Sequence, residues 1–231
     1  MRAYVLCGGF GTRLQSVTQG TQKALVAVHG APFLQVVLGQ LALAGIEEVV
    51  LCAHYRADQV AEQMDALAKA SGMILHLVVE DQPLGTGGAL LNALHQLPPQ
   101  GRYLVLNADT YLDAPAYNLV VVASGNAVVG VEVDERSRYG SLAVDKNANL
   151  RAIEEKGLAG PGLINAGVYA FGSETFAAVQ VQACSLERDL LPTLLRQEPV
   201  EVCRYPGRFI DIGTPESFAH YSSEFHTDAA Q

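Results

Sequence analysis

The residues with the clearest chemical potential lie just inside the N-terminus. Gly8, Gly9 and Gly11 fall within four positions, Arg13 follows, and Lys23 comes ten positions later. Glycines lack Cβ atoms, so the backbone can turn sharply there and bring N–H groups against a bulky anion. Arginine adds a fixed cation whose donor fork matches phosphate oxygens, and lysine adds a point-like charge. The chemistry implied is a phosphate cradle; a tight strand-to-helix connection is the plainer alternative. Two familiar cradles do not fit. The dinucleotide fingerprint requires glycine where Leu14 stands, and a P-loop requires a Gly-Lys pair, which the chain lacks.

Further along, Asp109 follows an apolar run and Asp211 sits in F-I-D-I-G-T. Two carboxylates at strand ends beside a phosphate cradle are what Mg²⁺ needs, since it takes one or two carboxylates plus phosphate oxygens. Taken singly, each also reads as a turn-stabilising aspartate. Gly85-Thr86-Gly87-Gly88 at a predicted helix start offers backbone donors to a flat or anionic ligand, or simply turns the chain. Glu154 and Lys156, two apart on a predicted strand, share a face and suit either a ligand or a solvated edge. Asn165 and Gly167 are odd choices for a plain core strand: one can bond a hydroxyl and the other leaves room for a ring. The six histidines have neither metal-ligand spacing nor a paired nucleophile.

These residues need a scaffold, and the hydrophobic pattern supplies one. Short buried strands are predicted at Ala3–Cys7, Glu47–Ala53, Met73–Val79 and Tyr103–Asn107. Helices are predicted from Pro32 to Ala44, over Ala57–Ala70 and over Ala89–Gln96. This alternation argues a doubly wound α/β sheet. The second half has strands at Ala127–Val133, Gly140–Val144, Leu150–Glu155 and Ile164–Phe171 with few helices between, which suggests mixed or antiparallel additions. A helix at Leu186–Arg196, strands at Val200–Tyr205 and Arg208–Ile212, and a helix from Pro215 to about Phe225 complete the chain. Thr227–Gln231 is expected to fray. With no linker-like stretch, residues 1–231 read as one domain: a nucleotide-binding half to about 125 and a substrate half from about 126 to 226.

Composition narrows the class. At 231 residues and 49% apolar content the chain can bury a large core. A net charge of −9 argues against nucleic-acid binding, though a local cation cluster can still hold a small anion. Four scattered cysteines without a C-x-x-C pair suit a reduced, cytoplasmic protein. Neither a leader pattern nor an apolar span suggests membrane association.

Taken in order, these stretches resemble the sugar-1-phosphate nucleotidylyltransferase family. The matching segments are G-G-F-G-T-R-L (Gly8–Leu14), Lys23, P-L-G-T-G-G-A-L (Pro83–Leu90), N-A-D (Asn107–Asp109), S-R-Y-G (Ser137–Gly140), E-E-K (Glu154–Lys156), N-A-G-V-Y (Asn165–Tyr169) and D-I-G-T-P (Asp211–Pro215). They span nearly the whole chain and leave no room for the β-helix or second catalytic domain of longer relatives. The length and the G-T-G-G variant are most similar to the D-glycero-D-manno-heptose 1-phosphate guanylyltransferase branch. The resemblance implies a Rossmann-like, glycosyltransferase-A-like fold with a mostly parallel mixed sheet. It implies in-line attack of a sugar 1-phosphate on an NTP, best GTP, with release of pyrophosphate.

By the same resemblance Arg13, Lys23 and Asp109 are catalytic, and Asp109 with Asp211 holds Mg²⁺. The nucleotide would meet Leu6, Gly8, Gly9, Gly11, Thr12, Gln82, Gly87 and Gly88. The sugar phosphate would meet Tyr139, Gly140, Glu154, Lys156, Asn165 and Gly167. Two departures stand out: Gln22 where the family usually has proline before the lysine, expected to loosen the backbone there, and Phe209 where tryptophan is frequent. Mannose 1-phosphate or another base, a catalytically silent NDP-sugar-binding subunit and a nicotinamide oxidoreductase are the competing readings. Leu14 and the non-acidic end of the second strand, Ala53-His54-Tyr55, disfavour the last. Self-association is left open.

Overall fold

The structure is a computed structural model describing residues 1–154 and 156–224. Glu155, Phe225 and the Thr227–Gln231 tail lie outside the described residues. The elements in chain order are β1 (Arg2–Leu6), α1 (Gln15–Thr18), β2 (Ala27–Val28), β3 (Ala31–Pro32), α2 (Phe33–Leu43), β4 (Glu48–Ala53), α3 (Ala57–Ser71), β5 (Ile74–Val79), α4 (Gly85–Gln96) and β6 (Tyr103–Asn107). Then come β7 (Thr110–Leu112), α5 (Ala114–Val122), β8 (Asn126–Val133), β9 (Ser141–Val144), β10 (Leu150–Glu154), β11 (Gly162–Phe171), α6 (Leu191–Leu194), β12 (Val200–Tyr205), β13 (Phe209–Asp211) and α7 (Pro215–Glu224).

Strands β6, β1, β4 and β5 are parallel neighbours in that order, with Leu6 opposite both Cys52 and Asn107. Parallel strands are buried on both faces, so they read as continuous apolar runs rather than alternating ones. Alternate residues nonetheless serve different layers. Ala3, Val5, Val49 and Leu51 pack with α2, α3 and α5 in one core, while Tyr4, Val50, Tyr103 and Val105 pack with α4 and Leu186–Leu194 in the other. The helices therefore cover both faces, as the predicted alternation requires.

In the second half β8 and β12 pair in parallel, so the antiparallel character rests on β11 and on the β9–β10 hairpin. β11 runs antiparallel to β6 over Val168–Phe171 and meets β9 at Ile164. Its register against β8 shifts between Asn165 and Tyr169. Gly167 sits in this bulge at φ +71, and a Cβ there would fall 2.3 Å from Asn107 Nδ2. Glycine is needed on both counts. The bulge opens the sheet just where β6 ends and Asp109 begins.

The helix α5 is absent from the sequence expectation. Its run Leu119-Val120-Val121-Val122 is β-branched and has almost no polar face, but burial of Tyr117 and Val120 against the sheet decides it. Asp113 before Pro115 was its legible start signal. The expected helix over Leu186–Arg196 is a π-helical turn at Leu186–Leu190 followed by the short α6, with Pro192 interrupting the donor series.

Candidate active site

The carboxyl ends of β1 and β6 face two adjoining cavities, of about 320 and 790 Å³. Leu6, Gly8, Gly9, Lys23 and Glu80 line the smaller; Tyr139, Gly140, Glu154, Lys156, Asn165 and Asp211 line the larger. Thr86, Asn107 and Asp109 border both. Open α/β sheets bind ligands in this position, outside the carboxyl ends of the strands.

Lys23 comes to the boundary because the chain folds back after the glycine loop. Gly11 adopts φ +60, and a Cβ on it would lie 3.2 Å from Lys23 Cβ, so the lysine stem runs across a bare backbone. Lys23 Nζ forms an ion pair with Asp109 Oδ2. Asp211 reaches the same place by another route. β13 pairs with β7 rather than with the main sheet, placing Asp211 opposite Thr110, and Ile212 N–H donates to the Asp109 carbonyl at 3.0 Å. Asp211 Oδ1 accepts from Gly213 N–H at 2.6 Å. Burial and the charge of Asp109 push the Asp211 carboxyl above the ordinary aspartate range, with Lys23 opposing.

Two neighbouring carboxylates, one of them buried, form a negative centre that a divalent cation would neutralise. Among the described residues no cluster of three or more His, Cys, Asp or Glu side chains occurs. That is a misfit for a closed protein cage but a fit for Mg²⁺, which takes one or two carboxylates and completes its shell with phosphate oxygens and water.

Several expected contacts are corrected. Gln82 is exposed and lines neither cavity. Gly87 and Gly88 line neither cavity: their N–H groups donate to the Cys184 carbonyl at 3.0 and 3.2 Å. Cβ atoms on them would meet Leu186 N at 2.9 Å and Gln182 O at 2.4 Å, so these glycines allow a chain segment to cross the start of α4. Thr12 is exposed and lines neither cavity, and Gly11 acts through Lys23. Arg13 borders the larger cavity rather than the smaller. Gly167 rests on Asn107 instead of lining the wall. Lys156 lies beyond the end of β10, yet with Glu154 it reaches the larger cavity.

Gln22 reverses its expectation. Its backbone, at φ −59 and ψ 135, is one that proline also adopts, and the residue is 1% exposed, with its amide bonded at both ends. The turn it begins is tied to its surroundings rather than loose.

The sequence reading missed Glu80 and a polar network. Glu80 is buried; Oε2 accepts from Leu84 N–H at 2.9 Å, and Oε1 faces Gly8, where a Cβ would come within 3.0 Å. Burial pushes this carboxyl above the ordinary glutamate range. An acid ending the third apolar strand was the available signal. Glu187 accepts from Thr86, Ser185 and Tyr169 hydroxyls at 3.0, 3.0 and 3.3 Å, and Tyr169 in turn accepts from Asn165 Nδ2 at 2.6 Å. This network fixes Asn165 at the cavity wall. Glu187, which ties the network together, lies 101 positions from Thr86 and carries no local pattern of its own.

A parallel-sheet fold with two cavities meeting at a lysine and two aspartates is the arrangement of a nucleotidyltransferase. A profile of the nucleotidyl transferase family matches residues 2–228, and the chain belongs to that family. It is 30% identical over 221 residues to D-glycero-alpha-D-manno-heptose 1-phosphate guanylyltransferase of Campylobacter jejuni, covering 96% of this chain and 98% of that protein. It is 33% identical to the Drosophila melanogaster mannose-1-phosphate guanylyltransferase catalytic subunit beta, covering 94% of this chain but 60% of that one. Among solved structures, HddC from Yersinia pseudotuberculosis complexed with GMP-PN superposes with a TM-score of 0.83 at 32% identity, covering 97% and 99% of the two chains. Among the described residues no helix is long and apolar enough to cross a membrane.

Proposed function

We propose that the protein transfers a guanylyl group from GTP to D-glycero-α-D-manno-heptose 1-phosphate, releasing pyrophosphate. The observation that carries this reading is the convergence of Lys23, Asp109 and Asp211 at the boundary of the two cavities. The smaller cavity would take the nucleotide and the larger the sugar phosphate, in keeping with a single domain of two cooperating halves. A sugar-phosphate oxygen attacks the α-phosphorus in line; the new P–O bond forms as the bond to the β-phosphate oxygen breaks. The nucleophile is already an anion at neutral pH, so no general base is required. Lys23 and Arg13 would bind phosphate oxygens, Lys156 the sugar phosphate, and Tyr139, Gly140, Glu154 and Asn165 the sugar. Asp109 and Asp211 would hold Mg²⁺, which when bound neutralises charge on the phosphates.

Glu80 favours guanine. A buried carboxylate in a nucleotide pocket is unfavourable unless N–H donors meet it, and it offers only acceptors when ionised. Guanine alone presents two adjacent donors on its pairing edge, its ring N–H and its amino group. Phe10 and His54, packed edge-to-face with ring centroids 5.9 Å apart, border the same cavity and would offer one aromatic wall to a base. The full-length match to the heptose enzyme, against 60% coverage of the mannose enzyme, supports heptose over mannose. Activity on nucleoside triphosphates places the protein in the cytoplasm in this reading, where its product would serve glycan assembly.

Pyrophosphate release with Mg²⁺, across GTP, UTP, dTTP, CTP and ATP and across heptose, mannose and glucose 1-phosphates, tests the proposal. A single strong pair with GTP and the heptose is expected. A strong signal with mannose 1-phosphate instead would reassign the sugar, and silence with NDP-sugar binding intact would leave a regulatory subunit.

A further inference from the structure

Gln22 has three partners that all bear on Lys23, two of them on its buried side-chain amide and one on its backbone. Its Nε2 donates to the carbonyl of Cys7, at the point where β1 passes into the glycine loop. Its Oε1 accepts from Ala24 N–H at 2.6 Å, inside the 3₁₀ turn of Lys23–Leu25. Its own N–H donates to Gln59 Oε1 at 2.7 Å on α3. The side chain thus spans the glycine loop and the lysine turn, two segments with no strand pairing between them.

We propose that Gln22 is a positioning residue: its amide clamps the lysine turn to the glycine loop and so holds Lys23 at the reacting phosphates. The proposal rests on the reading of Lys23 as a phosphate contact. Physically, a lysine stem has four rotatable bonds and lands where its backbone aims it. A buried polar group with two partners fixes that backbone, because breaking either bond leaves an unpaired group in the core. Other constraints also act on this segment: Gly11 limits where the stem can lie, Asp109 holds its charged end, and Ala24 and Leu25 are buried in the core, but none of these ties the turn to the glycine loop.

A mutant cycle in the full chain tests this, with GTP, heptose 1-phosphate and Mg²⁺. Gln22→Ala should lower kcat about 10- to 100-fold, the scale set by ångström misplacement of a reacting group, with less than about threefold change in the KM for the sugar phosphate. In a Lys23→Ala background the same substitution should cost less than about twofold more, since the group it aims is gone. Gln22→Asn keeps a buried amide but is one methylene too short to reach both partners, so it should reproduce the loss even if the alanine variant does not fold. Full kcat in Gln22→Asn, or a loss that multiplies undiminished in the Lys23→Ala background, would overturn the proposal. Full activity of Lys23→Ala itself would sink the reading of the lysine and this inference with it. An inactive Lys23→Ala beside a fully active Gln22→Asn would remove the inference alone.

Discussion

The two glycine-rich stretches, Gly8–Gly11 and Gly85–Gly88, look alike in sequence and work oppositely in the fold. The first opens onto a cavity: Gly8 and Gly9 border it, and a Cβ on Gly9 would meet nothing within 4 Å, although Gly8 and Gly11 also make room for Glu80 and Lys23. The second is bare because the protein itself fills the space. The carbonyl of Cys184 caps the first turn of α4, and Gln182 and Leu186 press against it. A glycine therefore marks close approach without saying what approaches. Which of the two it is depends on a segment about one hundred residues away.

The largest effect that sharpens this contrast is catalytic. Lys23→Ala and Asp211→Asn should each lower kcat by roughly 10²–10³-fold, or about 3–4 kcal/mol of transition-state stabilisation, while thermal unfolding stays within a few degrees. Steady-state kinetics beside calorimetry separates the two readouts; a matching collapse of Tm would place these residues with the structural glycines instead.

Gly88→Ala should come next and act on the other axis. Its Cβ would lie 2.4 Å from the Gln182 carbonyl and 2.7 Å from Leu84 Cβ. Overpacking against backbone costs about 2–3 kcal/mol. Urea unfolding should show that loss, with KM for GTP in the folded fraction nearly unchanged.

Gly11→Ala should mix both characters at smaller size. The φ of +60 costs about 1 kcal/mol for alanine, and the 3.2 Å contact pushes the lysine stem, lowering kcat about tenfold. Loss of stability without loss of kcat would show that the loop does not aim Lys23.

The smallest effect concerns pH. Burial raises the Glu80 carboxyl above the ordinary glutamate value of 4.5. In acid both folded and unfolded chains are protonated; as pH rises the unfolded chain ionises first. Stability is thus present below the ordinary glutamate value and lost as pH climbs through the raised one. Glu80→Gln cannot titrate, so its Tm in the absence of nucleotide should fall less between about pH 4.5 and neutrality. Asp211 titrates with the same sign in both proteins, so the difference between their curves isolates Glu80. Parallel curves would show that burial of Glu80 has no energetic consequence.

Much of this was legible beforehand. The parallel strands were readable because burial on both faces demands continuous apolar runs of strand length. That Gly8, Lys23, Asp109 and Asn165 line the cavities was readable because few residue types suit a phosphate cradle, a cation or a hydroxyl. Glu80, Glu187 and the helix α5 were not. Glu80 looks like any acid after a strand, Glu187 bonds Thr86, 101 positions away, and Tyr169, 18 positions away, and α5 carries a strand former's composition.

The sequence by itself determined the layers of the molecule and the kinds of charge at its centre, because hydrophobic period and residue chemistry are local properties. Only the tertiary structure decided which glycines border a cavity and that Asp211 arrives beside Asp109 on a separate ribbon. It alone showed that the Gln22 side chain is buried and bonded to Cys7 and Ala24 where a looser turn was expected. Those outcomes depend on which distant backbone fills a space or supplies a hydrogen-bond partner, and no local pattern of residues encodes that.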